Sequence, residues 1–200
     1  MMCRPRLWIA LLMVALSVGC NSGGANYLYY TLPSVQDPTI QVAGEKRGRL
    51  VIGLGPVALP DYLDRAAIVT RVNDTRLAVH DGHRWAGSLH SDIVRVLAAN
   101  LERHGQVKEV VVFPWTTRIE PDLRLRVEIK AFEGGMEDNV TLKAAWSLTS
   151  IQHDQAAVRR VSLIQEKTNG DGIEDLVTAM ASTLYGLSRE MARAVDEAAP

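Results

Sequence analysis

The spacing of apolar residues along this chain changes period several times, and each change marks an element. Residues 123–130 alternate strictly, with Leu123, Leu125, Val127 and Ile129 set against Arg124, Arg126, Glu128 and Lys130. A period of two sends successive side chains to opposite faces, so this is a strand with one face buried and one in water. Val140, Leu142, Ala144, Trp146 and Leu148 repeat the pattern, and residues 158–165 supply a third strand. Short polar turns join the three, which favours an antiparallel meander. Residues 68–72 and 76–80 flank Asn73-Asp74-Thr75, a turn sequence that predicts a hairpin. Three shorter runs also read as strands: residues 27–32 stopped by Pro33, residues 50–54 closed by Gly55-Pro56, and residues 107–113 stopped by Pro114.

Two stretches keep helical spacing. Leu89, Ile93, Val96, Leu97 and Leu101 recur three and four apart between Trp85 and His104, with Gly105 placed to cap the end. After Asn169-Gly170-Asp171-Gly172, a second stripe runs through Ile173, Leu176, Val177, Met180, Leu184, Leu187, Met191 and Val195. A one-sided stripe needs an apolar surface to lie on. The fold expected is α+β: a single domain, with a mixed or antiparallel sheet and two long helices packed on it.

The amino terminus follows a different logic. Arg4 and Arg6 precede an apolar run at residues 7–18, the plan of a secretory signal. Twelve helical residues reach about 18 Å against roughly 30 Å of hydrocarbon, too short for a permanent span. The run ends in Leu16-Ser17-Val18-Gly19-Cys20. Small residues directly before a cysteine resemble the lipobox of bacterial lipoproteins, although Leu16 sits one place early. That resemblance implies a diacylglycerol on the Cys20 sulfur and cleavage before it. Residues 1–19 are then the signal peptide, residues 20–26 a lipidated tether, and residues 27–200 the folded domain. Asn21, where an aspartate would favour the inner membrane, directs the expectation to the periplasmic face of the outer membrane.

Composition narrows the function classes. Of 200 residues, 47% are hydrophobic and 22% charged, enough for one ordinary buried core. Formal charge is −1, or −3 once Arg4 and Arg6 leave, and with no basic excess to neutralise a phosphate backbone no nucleic-acid partner is expected. Cys3 and Cys20 are the only cysteines. Both precede the domain, so a disulfide scaffold and a cysteine zinc site are excluded. His80, His83 and His90 lie close in sequence, but the first two straddle a Gly82 turn where polar residues collect anyway, and no metal is expected. Ser88, His90 and Asp92 have the composition of a triad, yet residues two apart on a helix point to different faces. Gly53-Leu54-Gly55-Pro56 lacks the helix that a dinucleotide loop requires. Trp85, Trp115 and Trp146 read as core anchors. The expectation is no enzyme, and no cofactor beyond the covalent lipid on Cys20.

One block invites two readings. Pro60 opens a turn carrying Tyr62, Leu63, Asp64 and Arg65. It is either a packed corner, with Tyr62 and Leu63 buried beside an Asp64–Arg65 network, or a surface for a partner. That block belongs to an ordered set. Tyr29-Tyr30-Thr31-Leu32-Pro33 precedes Ile52-Gly53-Leu54-Gly55-Pro56-Val57, then Leu59-Pro60-Asp61-Tyr62-Leu63-Asp64-Arg65 runs into Ile68-Val69-Thr70-Arg71. Arg84-Trp85-Ala86, read as opening the first helix, is followed by Asn100-Leu101, Pro114-Trp115, Phe132-Glu133-Gly134 and Ala145-Trp146. In this order the pieces resemble the ABC-type transport auxiliary lipoprotein family.

The resemblance implies a non-catalytic envelope lipoprotein, auxiliary to an MCE-type intermembrane lipid transport system. It would dock the MCE-domain tunnel protein of the inner-membrane system at the outer membrane, beside outer-membrane lipid. Self-association around the tunnel axis is expected with it. The alternative is a lipoprotein that itself carries an apolar ligand through the periplasm. A carrier needs an apolar cavity, whereas an adaptor needs a filled core and an exposed patch.

Mass spectrometry of the mature amino terminus tests the anchor: an acylated Cys20 is expected as first residue, and an unmodified start at Asn21 or later overturns it. Cys20→Ser should block lipidation and cleavage while leaving the thermal unfolding of the domain unchanged.

Overall fold

The computed structural model describes residues 26–34, 48–115, 120–135, 138–151 and 156–198. Residues 1–19, expected as a signal peptide, Cys20 and residues 35–47 lie outside the described residues. In chain order the elements are β1 (Leu28–Tyr30), β2 (Leu50–Ala58), β3 (Ala67–Arg71), β4 (Leu77–Trp85), α1 (Leu89–Glu102), β5 (Val107–Val112), β6 (Leu123–Gly134), β7 (Asn139–Ser150), β8 (Ala156–Lys167) and α2 (Ile173–Ala198). Five strands form one sheet in the order β5-β2-β6-β7-β8, and three form a smaller one in the order β1-β4-β3. The domain is α+β with mixed sheets, as the patterning indicates.

The meander is antiparallel throughout, β6 with β7 and β7 with β8. Its partner β2 runs parallel to both β5 and β6. Leu123, Leu125, Val127 and Ile129 of β6 are buried under the helices, with Arg124, Arg126, Glu128 and Lys130 exposed on the far face. α2 spreads over β6, β7 and β8, while α1 covers β2 and β5 and packs along α2. Gly186 lets α2 lie close on β8, since a Cβ there would sit 3.2 Å from the Ile164 side chain. No helix of the described residues is long and apolar enough to cross a membrane.

Three elements depart from the sequence expectation. β2 does not end at Gly55-Pro56 but continues to Ala58. Leu54 pairs with Leu125 and Val57 with Val127, so Gly55 and Pro56 together face the single residue Arg126. Such a bulge is where a ladder can accept proline, which has no N–H to give. Gly55 has φ of 120°, and a Cβ there would lie 2.7 Å from the Phe113 Cβ.

Arg84 and Trp85 do not open the first helix. They end β4, paired with Tyr29 and Tyr30 of β1, and α1 starts only after Ser88. The Ser88 hydroxyl accepts the Ser91 N–H at 3.4 Å, the usual serine cap of an orphan donor. The helix ends at Arg103 in ordinary right-handed conformation, so Gly105 is not a left-handed cap. β1 itself stops at Tyr30. Leu32 is buried beyond it, held to α1 at both ends: its N–H donates to the Asp92 carboxylate (3.1 Å) and its C=O accepts from Arg95 (2.7 Å).

The Gly55 geometry gives a paired prediction. Gly55→Ala forces a strained φ and meets Phe113, and should cost about 1–3 kcal/mol. Gly82→Ala, with nothing within 4 Å, should stay within about 0.5 kcal/mol. Urea unfolding of the two variants measures the difference.

Candidate functional site

A bulge in β6 creates the most unusual polar cluster in the domain. Ile129 pairs with Ala144 but Ala131 with Lys143, so Lys130 is the extra residue. One extra residue reverses the alternation. Phe132 now points under the helices opposite Leu142, and Glu133 points the other way, yet Glu133 is only 4% exposed. The 60–65 turn and the end of β3 cover it.

A carboxylate out of water must be given donors, or its burial costs several kcal/mol. Glu133 receives four. Oε1 accepts Arg71 Nε at 2.8 Å and Arg71 Nη2 at 2.6 Å. Oε2 accepts the Tyr62 hydroxyl at 2.6 Å and the Phe132 N–H at 2.8 Å. Burial, then the Glu133 hydrogen bond and charge, push the Tyr62 hydroxyl far above the usual phenol range. The Glu133 hydrogen bond raises the Arg71 guanidinium further, against a smaller opposing effect of burial. Tyr62 therefore stays a donor and Arg71 a cation. Arg71 also reaches the Asn73 and Asp74 carbonyls at 3.3 and 3.4 Å, closing the β3–β4 hairpin.

The turn is shaped by its own backbone: Leu63 N–H donates to Pro60 C=O at 2.9 Å and Asp64 N–H to Asp61 C=O at 3.2 Å. Pro60 is half-buried at its start, Leu63 buried, and Tyr62 half-buried with its hydroxyl on Glu133. Asp64 and Arg65 are exposed, with no side-chain ion pair between them among the described residues. The expected Asp64–Arg65 network is replaced by Arg71–Glu133, because only an inward-facing carboxylate has to find a cation. Trp85 is buried next to the turn, its N–H donating to Ala66 C=O at 2.8 Å. Arg71 and Glu133 are 62 residues apart, and reading the sequence did not single them out. Their signal in the sequence is one charge in each of two short pieces, closing Ile68-Val69-Thr70-Arg71 and central in Phe132-Glu133-Gly134. Cys20 lies outside the described residues.

The remaining candidates disperse. His80 pairs with the Thr70 hydroxyl, His83 with the Tyr30 hydroxyl, and His90 donates to the Val57 carbonyl, each at 2.8 Å. Burial, and secondarily His83, lowers the His80 pKa. Among the described residues no group of three or more His, Cys, Asp or Glu side chains could hold a metal. Ser88 caps α1 while Asp92 holds Leu32 and Arg95. Beyond them, an apolar groove of about 590 Å³ lies between the bulge of β2, the end of β5 and the start of α1, lined by Leu54, Val57, Val94 and Phe113. β8 ends the large sheet, with Val161 and Leu163 exposed on its outer face.

With this fold and this cluster, the chain belongs to the ABC-type transport auxiliary lipoprotein component family, whose family model matches residues 30–192. That span contains the 60–65 turn, Arg71 and Glu133. The chain is 26% identical over 174 residues to the intermembrane transport lipoprotein PqiC of Escherichia coli, covering 87% of this chain and 89% of that protein. The PqiC of Shigella flexneri matches to the same extent. Among solved structures, a crystal structure of an uncharacterised protein is similar with a TM-score of 0.67 and 23% identity, over 85% of this chain and 99% of that one. Protein XCC0632 from Xanthomonas campestris follows with a TM-score of 0.64 and 16% identity, over 84% and 93% respectively. These two likenesses share the fold.

Removing the half-exposed Arg71 strands the charge of the buried Glu133 carboxylate. Arg71→Met should therefore cost about 3 kcal/mol, well above the 0–1 typical of surface pairs. Tyr62→Phe should cost about 1 kcal/mol. A double-mutant cycle by urea unfolding checks both, and coupling near zero would show that the two side chains do not share the carboxylate.

Proposed function

We propose that this chain is a non-catalytic docking subunit of an MCE-type intermembrane lipid transport system, anchored through lipid on Cys20 at the periplasmic face of the outer membrane. Family membership over residues 30–192 supports the transport setting, and the similarity to PqiC supports the intermembrane one. One structural observation supports docking. The 60–65 turn is nailed from beneath by Tyr62 and Glu133, while Asp64 and Arg65 stand outward without side-chain partners among the described residues. A turn whose backbone is already fixed loses little further freedom when a partner arrives. The partner in this reading is the MCE-domain tunnel protein, and self-association of the subunit around its axis belongs to the same picture.

A second reading, an apolar-ligand carrier, draws on the groove beside Phe113. In the docking reading that groove needs no lipid, because Phe132, Ile129, Leu142 and Leu184 already fill the space between sheet and helices. Native mass spectrometry of the lipoprotein separates the two, since a carrier retains one further lipid per chain.

The direct test is copurification from mildly solubilised envelopes with tagged full-length protein. An MCE-domain protein is expected in the eluate, and joint Asp64→Ala and Arg65→Ala substitution should deplete it with the melting temperature unchanged. Wild type that brings no MCE-domain protein defeats the proposal.

A further inference from the structure

We propose that the open face of the large sheet, across β6, β7 and β8, lies on an anionic phospholipid surface. This deepens the proposed function and rests on its anchor at Cys20. The cross-strand register sets the outward side chains in rows. Arg126 stands opposite Ser147, which stands opposite Arg159. Glu128, Ala145 and Val161 form the next row, and Lys143 with Leu163 the one after. All point away from the helices, because Val127, Trp146 and Leu148 are buried on the other side and strands alternate.

Two properties coincide on this face. The first is charge. Arg126, Lys143 and Arg159 are exposed and make no ion pair or side-chain hydrogen bond among the described residues. Arg124 adds a fourth cation, lying over the Trp115 ring at 5.0 Å. The carboxylate within these rows, Glu128, is paired with Lys130. Asp122, two residues before Arg124, holds the Val51 N–H at 2.7 Å, and Glu109 is two strands away on β5. A chain whose formal charge is −1 therefore turns four cations without a carboxylate partner to one side. The second property is apolar exposure: Val161 and Leu163, beside these cations, are 67% and 62% exposed. Cations flanking aliphatic tips suit a bilayer surface, with the charges among phosphates and the tips at the acyl boundary.

The breadth of the face decides the kind of anion. Neighbouring strands lie about 4.8 Å apart, so Arg126 and Arg159 are separated by about 10 Å across the sheet. A peptide strand added along the open edge of β8 meets Arg159 but leaves Arg126 two strands away. Ala145, Ser147 and Thr149 between the cations are too short to wall a groove. Negative charge spread over a surface meets all four cations together. The tether supplies the second argument. Cys20 lies six positions before Asn26, the first described residue, so lipid on Cys20 holds the bilayer beside the domain. An attraction too weak to capture a free protein then suffices, because the encounter is intramolecular.

Spin labels on the full-length lipoprotein test this, in vesicles of phosphatidylcholine alone or mixed with phosphatidylglycerol. The acylated mature chain has no free thiol, so Val161→Cys and Thr178→Cys, the latter exposed on the helical side, each take one label. Relaxation by a water-soluble nickel complex reads accessibility. The label at residue 161 should be shielded on mixed vesicles at low salt. It should be exposed on phosphatidylcholine alone, and on mixed vesicles in about 1 M salt, where charge reaches only about 3 Å. The label at residue 178 should stay accessible throughout. Joint Arg126→Gln, Lys143→Gln and Arg159→Gln should expose residue 161 again, with the melting temperature unchanged. Equal accessibility of residue 161 on both vesicle types, or shielding that survives in the triple variant, overturns the proposal. Shielding that appears only once an MCE-domain protein is added assigns the face to a protein and overturns the lipid surface. Mass spectrometry of the same sample reads the anchor separately. If Cys20 is unacylated the anchor fails, and cosedimentation with the two vesicle types decides the face. Binding to mixed vesicles that falls about a hundredfold in the triple variant, about fivefold for each cation, supports it. Binding that is absent, or unchanged in that variant, overturns it.

Discussion

A carboxylate removed from water demands donors, and the arrangement of this domain around Glu133 follows from that demand. The large sheet presents Glu133 on the face away from the helices, where, among the described residues, the 60–65 turn and the small sheet reach it. Each sends a side chain, Tyr62 and Arg71, and both end on the same group within 2.6 Å. The small sheet otherwise meets the large one chiefly where β3 lies against β6. Without this contact the turn, the hairpin and the end of β6 would be three neighbouring surfaces rather than one fixed corner. Such a contact contributes geometric definition as well as stability, since an apolar replacement would not dictate where each element stops.

The parts of the fold legible in the sequence are those whose cause is local. Alternation in β6 and β7 announces a half-buried sheet, and the stripe of α2 announces the helix that covers it, because each period is written in neighbouring residues. Trp85 misled for an instructive reason: it stands four before Leu89, which stands four before Ile93, so a strand-ending tryptophan imitates the first step of a helical stripe. The strand through Gly55-Pro56 was hidden because a bulge adds residues without changing composition. The Arg71–Glu133 pair was hidden more deeply, since only the phase reversal at Lys130 decides which way Glu133 faces. Nothing within a few residues encodes that reversal. The charged residues beside Tyr62 were legible as important and illegible as to direction, inward or outward.

The two polar clusters contrast in a useful way. Around Glu133 every acceptor position is answered, and the outcome is rigidity. Between α1 and α2 two buried atoms, Asn100 Oδ1 and His104 Nδ1, have no hydrogen-bond partner among the described residues. A domain whose described core is filled by apolar side chains thus keeps these two polar clusters at its margins, the turn and the helix pair.

The parallel pairing of β1 with β4 has a consequence for reach. The chain enters the domain beside Trp85, whose backbone is bonded directly to Ala66 at the end of the 60–65 turn. Leu28 lies eight positions beyond Cys20, a contour of at most about 29 Å even when fully drawn out. With the proposed anchor at Cys20, the turn is leashed within a few nanometres of the headgroups and cannot be offered deep in the periplasm. In the proposed docking, a partner seated in the inner membrane that grips Asp64 and Arg65 must itself extend across the envelope to that bilayer, so the length of such an assembly is set by the partner.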